Sequence, residues 1–342
     1  MFLFFSIICS AIVVMAQDSE PFLTKPLNKE LIKLVKAETS GGGITVTAVN
    51  ASEARVEVYI RPNNSITGLS KEAIQVRLNE NYDLNIGVDG NTLSAIAKPK
   101  YHNINWKKAL NISFKIFVEK NVSTNLTTSG GGISLLGITG KQDFTTSGGG
   151  LDIDNVSGTI KGVTSGGGIH LSNAVADNID LSTSGGGISA INSTAVKISL
   201  TTSGGGIQLH SLTGTIDAVT SGGNITGDII SGILTASTSG GGISLKELSG
   251  SVSASTSGGG IRVSIKELGQ YVKLGTSGGN IDLEIPKSKG VKLEIYADII
   301  KTDRLENFNG TMEKDKLNGT LNGGGVLIKA KASSGKVTLT FM

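Results

Sequence analysis

Through the middle of the chain, apolar and polar residues alternate in short runs, and the runs return at a nearly fixed distance. One apolar column is Ile133, Leu151, Ile169, Ile188, Ile207, Ile225, Ile243, Ile261 and Ile281. Two residues on stand Leu135, Ile153, Leu171, Ala190, Leu209, Gly227, Leu245, Val263 and Leu283. A third column, Ile160, Ile179, Ile198, Ile216, Leu234, Val252 and Val272, is followed two residues later by a fourth that runs from Leu126 and Phe144 through Gly162 and Leu200 to Leu274. Alternation of period two puts one face of a strand inside, so each repeat predicts two short strands.

Each run is announced by Thr-Ser-Gly-Gly, which begins at Thr128, Thr146, Thr164, Thr183, Thr202, Thr220, Thr238, Thr256 and Thr276, at intervals of 18, 18, 19, 19, 18, 18, 18 and 20 residues. That period is too short for a strand-helix-strand unit, which needs roughly 30 residues. The strands must therefore pair between successive turns and stack like residues into ladders, which is the arrangement of an all-β solenoid with about 18 to 19 residues per repeat. A rise of about 4.8 Å per turn gives the nine turns a length on the order of 40 Å. The glycines predict a tight corner at positive φ, with Asn224 and Asn280 taking the third glycine position as the next residue type to accept a left-handed backbone. Thr202 shares the inward parity of Leu200, so the corner threonine is expected to bond its hydroxyl to turn backbone and to leave Ser203 outward. That parity argues against an ice-binding face of threonines.

The flanks are less regular. Residues 1–16 are an apolar run ending in Val14 and Ala16 before a polar start at Gln17, the pattern of a cleaved secretory signal peptide, although its start carries no Lys or Arg. The run is shorter than the roughly 20 residues of a membrane-spanning helix, so no integral span is expected after cleavage. Residues 17–36 form a polar lead-in, and residues 37–127 an expected β-rich cap. The cap opens on an isolated Thr39-Ser40-Gly41-Gly42-Gly43-Ile44 and continues with strands at Arg55 to Ile60, Ile74 to Leu78, Tyr82 to Val88, Leu93 to Ala97 and Ile112 to Val118. The regular array covers 128–286. Residues 287–342 hold atypical repeats and a second cap: a charged stretch from Asp298 to Lys316, then weakened signatures at Leu321 to Val326 and Ser333 to Val337.

Composition narrows the function. The sole cysteine, Cys9, lies in the apolar leader, so the mature chain has no thiol for a disulfide, a zinc site or a nucleophile. A formal charge of +3 on 342 residues gives no electrostatic reason for a nucleic-acid partner. The glycine-rich corner is not a phosphate loop, because Gly-Gly-Ile enters a strand and no Gly-Lys-Ser/Thr follows. It is not a calcium β-roll either, since no carboxylate recurs in every turn. No cofactor is implied.

The apolar leader, the early Ser-Gly-Gly-Gly-Ile, the tandem Thr-Ser-Gly-Gly-Gly-Ile corners and the final Asn322-Gly-Gly-Gly-Val with Ser334-Gly-Lys-Val resemble the DUF4097 family of bacterial adhesin-like proteins over about Ala37 to Met342. The resemblance implies a right-handed β-helix, export to the outer membrane surface, the periplasm or the medium, and no catalytic residues. A polysaccharide-active enzyme would need two carboxylates about 5 to 9.5 Å apart on the outer face, or an acid with a positioned base. Asp152 and Asp154, on one side of a strand, and His170, in the column of Asp152 one turn on, are the best surface candidates. Trp106 is a candidate sugar platform, read otherwise as a cap packing residue. His102 and His210 stand isolated. The expected role is a non-enzymatic binding module for a glycan or protein at or near the cell surface, with an envelope scaffold as the alternative and a polysaccharide-active enzyme third.

Overall fold

A computed structural model describes residues 20–27, 30–63, 69–101, 108–287 and 289–342. The apolar leader, Trp106 and His102 lie outside them. Among the described residues the fold is a β-solenoid built on one open sheet of 26 strands. Every coil contributes to two parallel ladders. The first ladder holds the strand after each glycine corner, with Ile133, Leu151, Ile169, Ile188 and Ile207 in register, and the second holds the strand before the next threonine, with Phe144, Gly162, Leu181, Leu200 and Ala218 in register. The four apolar columns all point inward and are buried, as is a further corner column, Ile138, Val156, Ala174, Leu212, Ile230 and Leu248. Where a column lacks a side chain, a neighbour fills the place. A Cβ on Gly162 would meet the Phe144 ring at 2.5 Å and Leu181 at 2.9 Å, and one on Gly227 would meet Ile230 and Leu245 at 2.8 Å.

From Ile188 the two strands of a coil join into one bent strand, Ile188–Thr202, and the same holds for Ile207–Thr220, Ile225–Thr238, Ile243–Thr256 and Ile261–Thr276. The bend is the left-handed residue of the second corner. Asn155, Asn173, Asn192, Ser211, Ile229 and Glu247 stack there with φ between 49° and 54°, beneath Gly137 at 74°. Pairing resumes at once on either side, as in Leu212 with Ile230, so the ladder is hardly interrupted. The 19-residue repeats have a local cause. Coils with a positive-φ glycine at 158 or 214 match Ala176-Asp177 and Ala195-Val196 in the coils between, and the register shifts by one residue at those places.

The glycine corner overturns one expectation. None of the Thr-Ser-Gly-Gly glycines has a left-handed φ, and neither Asn224 nor Asn280 does. The requirement is close approach: a Cβ on Gly149, Gly167, Gly186, Gly205 or Gly223 would be driven into the carbonyl of the glycine one coil back. The third glycine is less crowded, with 3.0 Å from a Cβ on Gly206 to Asn224 O. Asparagine fits there and uses its side chain between coils: Asn224 Oδ1 accepts from Gly242 N at 2.8 Å, and Asn280 Oδ1 from Lys336 N at 2.9 Å. The threonine expectation holds. Thr202 is buried, its hydroxyl donates to Gly186 O at 2.7 Å and accepts from Gly205 N at 3.3 Å, and its relatives repeat the pattern. A hydroxyl that donates to the coil before and accepts within its own coil satisfies two backbone groups that a buried corner would otherwise strand.

The copy at Thr39 is not isolated. Thr39 pairs with Thr128 and Ile44 with Ile133, so Leu34–Thr39 and Ile44–Ala48 are the coil before the array, and Thr128 Oγ1 donates to Gly42 O at 2.7 Å. At the other end Thr276 pairs with Ala332 and Ile281 with Val337, which makes the weak signature at 333–337 the next coil of the rod. Residues 291–302 stack outside that coil. The expected strand Ile74 to Leu78 is instead part of a helix, Lys71–Asn81. Ser70 caps its first turn by accepting from Ala73 N, and Lys, Glu, Ala, Gln, Arg and Leu favour it locally. The alternation of Ile74, Val76 and Leu78 misleads because only Leu78 is buried. Two strands, Leu23–Pro26 and Leu34–Thr39, begin within the stretch read as polar lead-in.

Candidate functional site

The first ladder exposes the residues between its inward pairs. Because the glycine corner beside it carries few side chains, those of Asn224 and Asn280 among them, and because several outward positions hold only Ser or Thr, the face is furrowed. One cleft of about 380 Å³ is lined by His170, Ser189 and Gln208, and the next, about 360 Å³, by Ser189, Gln208, His210, Asp228 and Lys246. A third, about 520 Å³, takes in Thr226, Ser244, Arg262 and Asp282, and a fourth, about 550 Å³, takes in Lys246, Arg262, Asp282, Glu284 and Thr340. Each shares residues with another, so together they form one furrow along the rod from His170 to Thr340.

The polar groups in it are tied across coils. His210 Nδ1 lies 3.6 Å from Asp228 Oδ2, Arg262 reaches Asp282 Oδ2 at 3.6 Å, and Ser264 donates to Glu284 at 2.8 Å. His210 is therefore not isolated. Its partner stands one repeat later at the same position of the coil, a relation visible in the period once the outward columns are followed as carefully as the inward ones. Arg262, Asp282 and Glu284 were missed for the same reason.

Asp152, Asp154 and His170 are brought to the upstream end of this face, where Asp152 pairs in register with His170 and Asp154 with Ser172. Asp154 Oδ1 accepts from Ser172 Oγ at 2.7 Å and from Asn173 Nδ2 at 2.8 Å. These two hydrogen bonds, Ser172 first, hold its carboxyl below the ordinary aspartate value against the opposing effect of burial. That direction favours the ionised form, the opposite of the raised value that a proton donor in glycoside cleavage calls for. Asp152 and His170 are exposed. No group of three His, Cys, Asp or Glu side chains that could hold a metal ion occurs among the described residues. The furrow can offer rows of donors and acceptors at coil spacing to an extended polar ligand. Among the described residues that line it there is no Phe, Tyr or Trp.

Residues 233–340 match the family described as Toastrack DUF4097, which bears out the resemblance over that stretch. No curated protein matches the chain. Among solved structures, a putative cell adhesion protein from Clostridium sporogenes ATCC 15579 is 12% identical, covers 95% of this chain and 96% of its own, and has a TM-score of 0.19. A putative adhesin from Bacteroides fragilis NCTC 9343 is 14% identical over 93% of this chain and 96% of its own, with a TM-score of 0.24. Neither likeness is close enough to carry a conclusion about this chain.

Proposed function

With residues 233–340 assigned to the DUF4097 family, we propose that the chain is an exported, non-enzymatic binding rod that holds an extended glycan or polypeptide along the furrow from His170 to Thr340. The observation that carries this reading is the continuity of the furrow across coils, with hydrogen-bonding side chains repeated along it over a backbone paired from coil to coil. A chain-like ligand running parallel to the rod meets a new row of polar groups at every coil, about 4.8 Å apart. Affinity then accumulates from many weak contacts, as multivalency allows. Asp154 is better suited to hold coils together than to do chemistry, and no helix among the described residues is long and apolar enough to cross a membrane.

The test is binding to arrays of polysaccharides and envelope or host proteins, with the purified chain and a variant carrying His210→Ala, Arg262→Ala and Asp282→Ala. Loss of about tenfold or more in affinity by the variant supports the furrow, and unchanged binding rejects it. If the parent chain binds nothing and resists protease on intact cells until the outer membrane is opened, the envelope scaffold replaces the binding rod. Cleavage of a polysaccharide that is abolished by Asp152→Asn would make the protein an enzyme.

A further inference from the structure

An open sheet has edges, and a rod made of two parallel ladders ends in four. Three are protected. Leu23–Pro26 carries Lys25 and ends in a proline, and Lys25 Nζ crosses to Ile86 O at 2.8 Å on the second edge, Tyr82–Asp89, which also packs against the helix Lys71–Asn81. The third, Ile299–Thr302, is covered on its outer side: Ile300 N donates to Lys314 O at 2.9 Å, and next to it Ala297 N donates to Asp315 O at 3.0 Å. Charges, prolines and covering segments are the usual means of blocking strand addition.

The fourth edge, Phe308–Met312, has none of these among the described residues. It pairs on one side with Lys316–Leu321, and no other strand among the described residues pairs with it. Its sequence, Phe-Asn-Gly-Thr-Met, is free of charge, although the stretch from Asp298 to Lys316 is otherwise crowded with charges. All of Asn309 to Met312 is exposed, Met312 to 52%.

The hairpin register fixes which backbone groups face out. Asn322 N donates to Asn307 O and Glu313 N to Lys316 O, at the two ends of the antiparallel pairing. Alternation between them makes 309 with 320 and 311 with 318 the bonded pairs, which turns the N–H and C=O groups of Phe308, Gly310 and Met312 outward. These groups have a matching set on a second copy. When two such strands lie antiparallel about Gly310, Phe308 faces Met312 of the other copy, Gly310 faces Gly310, and every outward donor meets an outward acceptor. Asn309 then lies opposite Thr311, and both are uncharged. No like charges oppose.

We propose that Phe308–Met312 is a self-complementary docking edge through which two copies of this chain join tail to tail, antiparallel and centred on Gly310, continuing the sheet of one rod into the other. One short strand per copy is a small interface, so the dimer belongs to the weak, reversible class. This does not depend on the furrow or its ligand.

The test combines sedimentation of the folded chain up to about 1 mM, a concentration that captures weak association, with amide hydrogen exchange. Expected is a monomer–dimer equilibrium in which the amides of Phe308, Gly310 and Met312 gain protection with concentration, while those of Asn309 and Thr311, already bonded within the hairpin, do not. Asn309→Lys with Thr311→Lys places like charges opposite each other twice and should weaken association by about tenfold or more. Asn309→Glu with Thr311→Lys turns the same pairs into opposite charges and should restore it to within about threefold. Both variants leave the partners within the hairpin, Thr320 and Asn318, uncharged, and thermal unfolding checks that each is folded. A chain that stays monomeric with these three amides unprotected overturns the proposal. So does a Glu/Lys variant as weak as the Lys/Lys one, because it excludes this register.

Discussion

Two residues of the corner signature look alike in the sequence and do different things. At Gly205 a methyl group would collide with the Gly186 carbonyl, and the ladders above and below leave the backbone no room to retreat. At Gly206 the nearest atom, Asn224 O, is 3.0 Å away, and asparagine already occupies the equivalent place at 224 and 280. Gly205→Ala should therefore destabilise the rod by about 3 kcal/mol or more, as backbone clashes in a packed interior do, and Gly206→Ala by about 1 kcal/mol or less. Denaturant titration of the two variants side by side checks this, and equal losses would show that crowding is not what selects glycine. At the second corner the constraint is conformational. Ile229 sits at φ 54°, a region that costs a β-branched residue roughly 1–2 kcal/mol, with its side chain 48% exposed and so little compensated by burial. Ile229→Asn, the residue used at 155, 173 and 192, should stabilise by about 1 kcal/mol, read as a rise in the denaturant midpoint.

At the scale of elements, neighbouring coils are joined by ladders and by a few side chains that bridge them. Asp154 is one bridge, with its carboxylate fixed by Ser172 and Asn173 of the next coil. Its folded pKa lies below the ordinary value. The contribution to stability is thus fully present above about pH 4, the ordinary aspartate range, and is lost as pH falls through the folded value. Asp154→Asn should be less stable than the parent chain at neutral pH, and the gap should narrow in acid. Melting temperatures of both chains from pH 7 down to about pH 2.5 test the sign, and a gap that widens in acid would contradict it. Strand positions in the array were legible because each coil repeats the same alternation and its neighbours impose the same parity. The helix Lys71–Asn81 was not, because it has one buried residue, Leu78, and so no apolar stripe of helical period to announce it. The cap at Ser70 and the helix-favouring residue types that follow it were the signals available.

At the scale of the whole molecule, the rod is longer than its uninterrupted repeats. The coil at 34–48 meets the array across an excursion of about seventy residues, and the coil at 326–341 is inserted between residues 261–285 and 291–302. The ends of the molecule are thus made of chain that leaves, forms strands at an edge and comes back. The candidate site shares this division. Asp152, Asp154 and His170 could be placed on one face from parity alone. The furrow reaches downstream through His210, Arg262 and Asp282 to Thr340, a residue that belongs there only because the last coil stacks on Ile281–Ile285. Taken by itself, the sequence determined the coil length, the inward columns, the buried threonine ladder and the solenoid class, because those follow from a local period that every coil repeats. The tertiary structure alone decided which distant segments complete the stack, which glycines are forced by contact and which corner residues by φ, and which of the four edges was left open. Each of those depends on atoms brought together from neighbouring coils or across long excursions of the chain, where no period in the sequence reaches.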